Sequence, residues 1–427
     1  MRERPRATKL VCTLGPATDG RIPELVEAGM DVARLNLSHG PVTDHEIRLG
    51  EVRAAMRDAG RTVGVLADLS GPKVRLGEVE GGEIRLEAGT QFVLRDTSHA
   101  GLAADLQRGD RVLLSDGAVE LRVISSEDVA VTEVVRGGYI RNRAGVNVPA
   151  ERLSLPALTP KDHQDAAWAL EAGADMVAQS FVRSAEDVRQ LRKLLGDQPP
   201  LVVAKIETRS AVEDVEAIMR ESDAVMVARG DLGVEMDQEE IPVIQRELVD
   251  LAMRMEVPVI VATQMLDSMI KFPRPTRAEV SDAAGAVFMG ADAVMLSAET
   301  AIGSFPIEAA RTATRILEIS ERSRFLPPPP DALAASEEAH LIARAAAAVS
   351  RRQSVRAIAC FTGTGRTATL LAATRPAVPI YAFSPNARVV SMLTLYRGVH
   401  PFLSEEPEDT DAMVDLMDAM LQRAGLS

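Results

Sequence analysis

The chain has 427 residues, of which 46% are hydrophobic and 26% charged, and its formal net charge is −14 at pH 7. This length exceeds that of one ordinary domain, and the composition is that of a globular protein, which excludes a disordered chain. No block of lysine and arginine stands out, so neither nucleic acid nor a membrane surface is expected as a partner. An anionic substrate would therefore need a local cluster of positive charge.

Eight short apolar runs, each ending in polar or charged residues and followed by a helix-like segment, recur along the chain. They occupy 10–15, 31–38, 62–70, 175–182, 201–207, 224–232, 258–265 and 293–300. Continuous apolar runs are typical of parallel strands that are buried on both faces. A doubly wound sheet uses the same unit, but a count of eight favours a (β/α)8 TIM barrel.

A faint repeat supports these units. Asp31, Asp175 and Asp292 each follow a glycine-containing junction and precede an apolar run. The glycine is expected to end a helix, and the strand is expected to begin after the aspartate.

Two segments break the barrel pattern. From 72 to 156, short alternating stretches with glycine turns replace the helices, which predicts an inserted all-β domain able to act as a lid. Four prolines at 327–330 predict a stiff linker to a separate α/β domain. The predicted domains are a barrel at 1–71 and 157–330, an inserted β-barrel lid at 72–156 and a shortened C-terminal α/β domain at 331–427.

The two cysteines, Cys12 and Cys360, lie in apolar runs without a CxxC partner or metal-ligand spacing. Two buried, reduced thiols are therefore expected. The first apolar run is too short for a signal peptide, and no run approaches the roughly 18 apolar residues of a membrane helix. We expect a cytoplasmic protein.

Polar residues end most of the predicted barrel strands, and in a barrel such ends converge on one cleft. Glu207 and Asp231 end neighbouring strands, so their carboxylates can share one Mg²⁺, a metal that usually keeps water or phosphate ligands as well. Arg34, Arg75 and Lys205 add positive charge around the same cleft. A metal ion and cations that oppose charge on transferring oxygens are what phosphoryl transfer requires.

Each of these features also has a structural interpretation. Lys205 and Glu207 form a possible charge pair on one strand, and Arg34 suits a salt bridge at a barrel rim. Thr276 and Glu279 are typical of a helix capping box. Only the convergence of several compatible strand ends favours a functional site.

Longer motifs at these positions resemble those of the pyruvate kinase family. They run over 9–18, 33–40, 204–208, 226–233, 262–265 and 273–300. The resemblance covers nearly the whole chain and is strongest in the barrel. It implies a homotetrameric kinase that uses Mg²⁺ or Mn²⁺ to transfer the phosphoryl group of phosphoenolpyruvate to ADP. This is the last step of glycolysis, in which a metal-stabilised enolate is then protonated to pyruvate.

The resemblance also implies a role for each matching residue. The implied catalytic residues are Lys205, Arg34, Thr263, Ser297 and Glu299. The implied substrate ligands are Arg34, Lys205, Gly230, Asp231 and Thr263, and the implied nucleotide ligands are Arg75, His39 and Asn36. The implied Mg²⁺ ligands are Glu207 and Asp231, and the implied K⁺ ligands are Asn36, Ser38, Asp68 and the Leu69 carbonyl. The proton donor stays open.

Several positions depart from the family pattern. Lys73 stands where many relatives have Glu beside the K⁺ site, and its ammonium can supply the charge that K⁺ would bring, so we predict activity without K⁺. Ala144 stands where many relatives have a nucleotide-binding Lys, so either Arg143 substitutes for it or nucleotide affinity is weaker. The loop from Thr362 to Thr367 suits a phosphate, but an ordinary strand-to-helix turn explains it equally well.

Two other functions stay open at this point. An Mg²⁺-dependent enolate lyase, such as an aldolase, uses similar paired carboxylates on a barrel. A non-catalytic paralogue would keep the fold without the activity, although the presence of Lys205, Glu207, Asp231 and Thr263 argues against this alternative.

Overall fold

The computed structural model of the protein describes residues 5–115, 117–149, 152–328, 338–352, 354–423 and 425. Pro329 and Pro330 of the predicted linker lie outside these ranges, as do several positions of the predicted domain spans: 1–4, 116, 150–151, 331–337, 353, 424 and 426–427. Among the described residues, no helix combines the length and the apolar character that crossing a membrane requires.

The secondary structure alternates strands and helices, except in an inserted all-β segment. The strands are β1 Lys9–Thr13, β2 Val32–Asn36, β3 Gly64–Asp68, β4 Val74–Arg75, β5 Glu83–Leu86, β6 Gln91–Leu94, β7 Arg111–Leu114, β8 Val119–Ser125, β9 Ala130–Arg136, β10 Gly138–Arg141, β11 Gly145–Asn147, β12 Met176–Gln179, β13 Leu201–Ile206, β14 Ala224–Ala228, β15 Val259–Ala262, β16 Ala293–Leu296, β17 Ile358–Phe361, β18 Ile380–Ser384 and β19 Val399–Leu403. The α-helices are α1 Ile22–Glu27, α2 Val42–Ala59, α3 Leu102–Asp105, α4 Pro160–Glu171, α5 Ala185–Leu195, α6 Arg209–Glu213, α7 Val215–Glu221, α8 Arg229–Glu235, α9 Ile241–Met255, α10 Arg277–Met289, α11 Ala298–Ala301, α12 Pro306–Glu321, α13 Glu338–Val349, α14 Arg366–Ala373, α15 Ala387–Met392 and α16 Thr410–Arg423.

Eight parallel strands of the described chain form a closed barrel in the order β1-β16-β15-β14-β13-β12-β3-β2. The predicted TIM barrel is therefore confirmed. Each observed strand ends before its predicted run does; for example, β14 ends at Ala228, whereas the run continues to Leu232. The polar residues at the run ends have left the hydrogen-bonded ladder and form loops or short helices at the mouth of the barrel, which is its carboxyl-terminal end.

Apolar side chains fill the barrel on both sides of its wall. The outward-facing residues of the strands pack against the surrounding helices in one large buried cluster. The inward-facing cluster is formed by Val11, Val32, Leu66, Met176, Ala178, Leu201, Val203, Ala224, Met226, Ile260, Ala262, Ala293, Met295 and Leu395. Leu395 comes from a 3₁₀ turn of the C-terminal segment, Leu393–Leu395. This turn therefore packs into the floor of the barrel, at the amino-terminal ends of its strands.

The inserted segment folds into antiparallel sheets, as its alternating pattern predicted. Six strands form an open sheet in the order β4-β11-β7-β8-β9-β6, and β5 pairs with β10 in a separate two-stranded sheet, so the described strands do not close into the predicted β-barrel. They enclose an apolar core of their own, which includes Val112, Leu114 and Leu121. The C-terminal segment forms a parallel sheet in the order β17-β18-β19 with helices packed against it.

Two further predictions about local structure are confirmed. The Thr276 hydroxyl accepts a hydrogen bond from the Glu279 amide, and the Glu279 carboxylate accepts one from the Thr276 amide, which completes the capping box of α10. Cys12 and Cys360 are both buried free thiols.

Candidate active site

A cavity of about 910 Å³ opens at the mouth of the barrel. The predicted site residues that line it are Arg34, Asn36, His39, Lys73, Gly230, Asp231, Thr263 and Ser297. The other predicted residues do not line it, and several of them lie buried beside those that do. The mouth therefore has an open layer around the cavity and a buried layer of charged groups.

The buried layer is centred on Lys205, near the end of β13. Its ammonium lies 2.8 Å from Oε1 of Glu207 and 3.4 Å from Oδ1 of Asp68, and it donates a 2.7 Å hydrogen bond to the hydroxyl of Ser180. Burial alone would lower the pKa of Lys205, but the charges of Asp68 and Glu207 outweigh it and raise that pKa above its ordinary value. Lys205 is therefore a fixed cation.

Arg34, near the end of β2, extends this layer to the cavity. Its Nη2 lies 2.6 Å from Oδ2 of Asp68, and its Nη1 donates a 2.9 Å hydrogen bond to the Thr13 hydroxyl. Burial opposes ionisation of Asp68, but the neighbouring charges of Lys205 and Arg34 prevail and lower its pKa. Asp68 therefore acts as the shared anion that holds two cations side by side.

Glu207 and Asp231 are the predicted metal ligands. Burial raises the pKa of Glu207; the charge of Lys205 opposes this effect, and the nearby charge of Asp231 adds to it. The two carboxylates follow neighbouring barrel strands, β13 and β14. Oε1 of Glu207 is buried, and its contact in the described structure is the 2.8 Å ion pair with the Lys205 ammonium.

This donor set suits a divalent metal ion. Among the described residues no group of three or more His, Cys, Asp or Glu side chains is placed to hold a metal. Mg²⁺ is commonly held by one or two carboxylates together with water and substrate phosphate oxygens, so the Glu207–Asp231 pair fits it.

Thr263 and Gly230 meet in the wall of the cavity, next to Asp231. The Gly230 amide donates a 2.8 Å hydrogen bond to the Thr263 hydroxyl, which in turn donates one of 2.6 Å to the Ala262 carbonyl. Thr263 has a φ of 70°, a left-handed conformation that is unusual for a β-branched residue. Such strain commonly persists at ligand-binding sites, where the surrounding structure holds it in place.

Ser297 and Glu299 follow the last barrel strand. The Glu299 carboxylate is buried and accepts hydrogen bonds from the amides of Leu266, at 3.1 Å, and Ser297, at 2.7 Å. Each of its oxygens thus binds one backbone amide, so Glu299 joins the loops that follow β15 and β16. The Ser297 hydroxyl oxygen is buried without a hydrogen-bond partner in the described structure.

The predicted nucleotide ligands are less closely grouped. Partial burial, followed by the charges of Arg75, Lys73 and Arg34, lowers the pKa of His39. Of these cations, Arg34 and Lys73 line the same cavity as His39. Arg75 does not line the cavity; its Nη1 lies 3.4 Å from the Arg143 carbonyl, in the inserted domain.

Two of the predicted K⁺ ligand atoms accept hydrogen bonds from other groups of the protein. Asn36 Oδ1 accepts a 3.2 Å hydrogen bond from the Ser38 amide, and the Leu69 carbonyl accepts one of 2.7 Å from Ser180. The ammonium of Lys73 lies 4.0 Å from Oδ1 of Asp231, on the cavity side.

The structure adds residues that the sequence analysis did not single out. Ser180 contacts Lys205 directly, Thr13 contacts Arg34, and Arg229 donates a 2.6 Å hydrogen bond to the Thr263 carbonyl. Thr13 is the last residue of β1 and Ser180 directly follows β12, the strands of the first and fourth apolar runs. Applying the strand-end rule to all eight runs would have found both.

Comparison with known families agrees with this geometry. The family model described as the pyruvate kinase barrel domain matches residues 5–310. The model described as the pyruvate kinase alpha/beta domain matches residues 340–427. Together with the fold, these matches define a phosphotransferase built on a β/α barrel.

Whole-chain relatives and a solved structure identify the family. A pyruvate kinase of Mycobacterium tuberculosis is 43% identical over 434 residues, covering 97% of this chain and 91% of that protein. A pyruvate kinase of Geobacillus stearothermophilus is 39% identical, covering 99% of this chain and 76% of that protein. The crystal structure of a pyruvate kinase from Cryptosporidium parvum superposes with a TM-score of 0.91 at 32% identity, covering 99% and 92% of the two chains. The chain belongs to the pyruvate kinase family.

Proposed function

We propose that this protein transfers the phosphoryl group of phosphoenolpyruvate to ADP in the cytoplasm, giving pyruvate and ATP. The observation that carries the proposal is the buried cluster at the barrel mouth. There Lys205 and Arg34 are fixed by Asp68, and the carboxylates of Glu207 and Asp231 lie beside them.

The two fixed cations would act on the transferring group. Lys205 and Arg34 oppose the negative charge on the phosphoryl oxygens, and Lys205 also stabilises the enolate oxygen that forms as the phosphoryl group leaves. Because both are already held by Asp68, little reorganisation is needed during the reaction. Glu207 and Asp231 would hold Mg²⁺ or Mn²⁺, which supplies further positive charge to these oxygens when it is bound.

The part of the cavity wall formed by Gly230 and Thr263 would bind the substrate carboxylate. The amides of Gly230 and Asp231 lie in the first turn of α8, and the Thr263 hydroxyl is next to them. On substrate binding, the hydrogen bond between Gly230 and Thr263 would give way to bonds with the carboxylate.

Protonation of the enolate carbon would take place near Thr263 and Ser297. The buried Ser297 hydroxyl has an unused hydrogen-bonding capacity, whereas Glu299 uses both oxygens to accept backbone amides. We therefore propose that Glu299 orients the Ser297 loop and that the proton reaches carbon through water beside Thr263 and Ser297.

The nucleotide would lie toward the inserted domain. The cations around His39 and the position of Arg75 beside the inserted domain support an ADP phosphate site there, with Asn36 at its edge. A homotetramer is proposed from the family and is tested by sedimentation velocity.

A coupled assay of pyruvate formation from phosphoenolpyruvate and ADP tests the proposed function. Pyruvate release that requires ADP and a divalent metal is expected. Release without ADP would mean that the phosphoryl group goes to water and would contradict a kinase. Pyruvate release from a hydroxylated 2-oxo acid in place of phosphoenolpyruvate would favour an enolate lyase, and a folded wild-type protein without turnover would favour a non-catalytic paralogue.

We further propose that turnover does not require K⁺. The Lys73 ammonium, 4.0 Å from Asp231, brings a positive charge to the site that Asn36, Ser38, Asp68 and the Leu69 carbonyl would otherwise offer to K⁺. The assay is run with tetramethylammonium as the only monovalent cation and again with added K⁺. We expect similar kcat values for the wild type in both.

The Lys73→Glu variant should acquire a dependence on K⁺ in the same assay, because an anion then replaces the local cation. Lys193→Glu is the matched control: it makes the same charge change on an exposed position of α5. A strict K⁺ requirement in the wild type would rule out this proposal.

A further inference from the structure

Ser180 lies directly after β12 and is 3% exposed. Its hydroxyl accepts a 2.7 Å hydrogen bond from the Lys205 ammonium and donates one of 2.7 Å to the Leu69 carbonyl, while Oδ1 of Asp68 is a more distant acceptor at 3.4 Å. The carbonyl fixes the direction of the hydroxyl proton, so an oxygen lone pair is left to face the ammonium.

The Lys205 ammonium has three N–H groups and three nearby oxygen partners. Two of these partners are the carboxylates of Glu207 and Asp68, and the third is the neutral hydroxyl of Ser180. Glu207 is a proposed metal ligand, and Asp68 is shared with Arg34. Metal binding would draw Glu207 away from Lys205, whereas the Ser180 contact would be unaffected because the hydroxyl carries no charge.

The backbone at Ser180 is also held in place. Phe181 has a φ of 54°, and in this conformation its amide donates a 3.1 Å hydrogen bond to Oε2 of Glu207. Gly71 allows the close approach, because a Cβ there would lie 2.9 Å from Cδ2 of Phe181 and 3.0 Å from Cβ of Ser180. One two-residue turn therefore contacts both the catalytic cation and the metal-binding carboxylate.

We propose that Ser180 is a positioning residue that directs the Lys205 ammonium toward the transferring phosphoryl group; this role rests on the proposed function. Without the hydroxyl, Lys205 would be placed only by two carboxylates that have other partners. The ammonium would then move toward Glu207, away from its working position and into competition with the metal.

The Ser180→Ala variant tests this role in the phosphoenolpyruvate and ADP assay. We expect kcat to fall by about 10- to 100-fold, since a misplacement of about 1 Å can cost about 100-fold in rate. The KM for phosphoenolpyruvate should change by less than about three-fold, because the carboxylate pocket at Thr263 and Gly230 is untouched.

Ser320→Ala is the matched control. Ser320 is also buried, and its hydroxyl donates a 2.7 Å hydrogen bond to the Ile316 carbonyl, but it lies on α12 and contacts no lysine in the described structure. This control should lower stability about as much as Ser180→Ala and leave kcat unchanged. Equal kcat values for Ser180→Ala and wild type, or equal losses in the two variants, would overturn the inference.

A crystal structure of the Ser180→Ala variant gives a readout that does not depend on turnover. We expect Nζ of Lys205 to move by about 1 Å toward Glu207, and an unmoved Nζ would overturn the inference. If the wild type makes no pyruvate, the proposed function fails, and the position of Nζ alone then decides whether Ser180 places Lys205.

Discussion

The two ends of the barrel both bury ionisable side chains, but they use them differently. At the floor, four aspartates precede barrel strands, and each accepts a backbone hydrogen bond from the neighbouring strand. The pairs are Asp31 with the Leu10 amide at 2.8 Å, Asp175 with Val65 at 2.8 Å, Asp223 with Val202 at 2.7 Å and Asp292 with Val259 at 3.0 Å. These carboxylates join adjacent strands.

At the mouth, the acidic groups have different partners. Oε1 of Glu207 faces the Lys205 ammonium at 2.8 Å, and Asp231 lines the cavity. Asp68 binds two cationic side chains rather than a backbone amide of its neighbouring strand. The comparison teaches that a buried carboxylate is structural when it binds an amide of the adjacent barrel strand, and is a candidate for chemistry when it faces cations or the cavity at the barrel mouth.

Replacing the buried lysine at each end should separate these roles most sharply. Lys205→Met removes the cation at the mouth, and we expect kcat to fall by roughly 1,000-fold or more, because a charge aimed at the transferring oxygens is lost. Circular dichroism should show a folded protein.

Lys9→Met is the matched control at the floor. Lys9 is 3% exposed, and its ammonium donates a 2.5 Å hydrogen bond to the Val399 carbonyl in the C-terminal sheet. The variant should keep its kcat. A loss of turnover as large as that of Lys205→Met would mean that the two ends are not functionally distinct.

The residues at the mouth could be predicted from the sequence, because the number of apolar runs indicates a barrel and the polar residues at the ends of the runs lie at its mouth. Once eight runs indicate a barrel, the residues after each run must converge, whatever their spacing in the chain. This reasoning predicted that Lys205, Glu207 and Asp231 lie at one mouth, and in the structure Lys205 and Glu207 form an ion pair there while Asp231 lines the cavity.

Other features depend on backbone conformation that the residue pattern does not carry. The left-handed φ values of Phe181 and Thr263 direct an amide and a hydroxyl into the site, although neither residue type favours that conformation. The amide contacts of Glu299 depend on two loops meeting in space. The repeated aspartates at the floor can be seen in the sequence. Which backbone amides they bind depends on the register of the barrel strands, and the residue pattern does not give that register.

A second pair of variants tests the floor directly. Asp31 bridges Arg6 and Arg61 with 2.7 Å ion pairs, so Asp31→Asn would leave two cations without their shared anion. We expect the free energy of unfolding in urea to fall by about 3–5 kcal/mol, as for other broken buried pairs. The kcat of the folded enzyme should be unchanged.

Asp231→Asn makes the same chemical change at the mouth, but it should affect activity rather than stability. Asp231 has a partly exposed side chain beside the cavity, so stability should change little while turnover and metal affinity fall. Metal affinity is measured by Mn²⁺ titration of the free protein. If Asp31→Asn proved catalytically impaired and stable, the proposed division between the two ends would be wrong.

The smallest effect is expected from His400, in β19 near the floor. Burial, with a smaller contribution from the charge of Lys9, lowers the pKa of His400 from 6.5 to about 3. Between these two values the unfolded chain binds a proton that the folded protein does not, so stability falls as the pH is lowered from about 6.5. At pH 5 the loss is about 2 kcal/mol, because each pKa unit is worth about 1.4 kcal/mol.

The His400→Phe variant keeps a ring beside Tyr381, whose centroid lies 5.7 Å from that of His400, but cannot be protonated. Urea unfolding at pH 7.5 and pH 5 should show that the wild type loses about 2 kcal/mol more than the variant. The other titrating groups are common to both proteins, so their contributions cancel in this difference. Because His400 lies at the floor, kcat should be similar in both at pH 7.5. If the wild type and the variant lost the same stability between pH 7.5 and pH 5, the folded protein would bind a proton at His400 as readily as the unfolded chain does. The expected effect of burial at the floor would then be wrong.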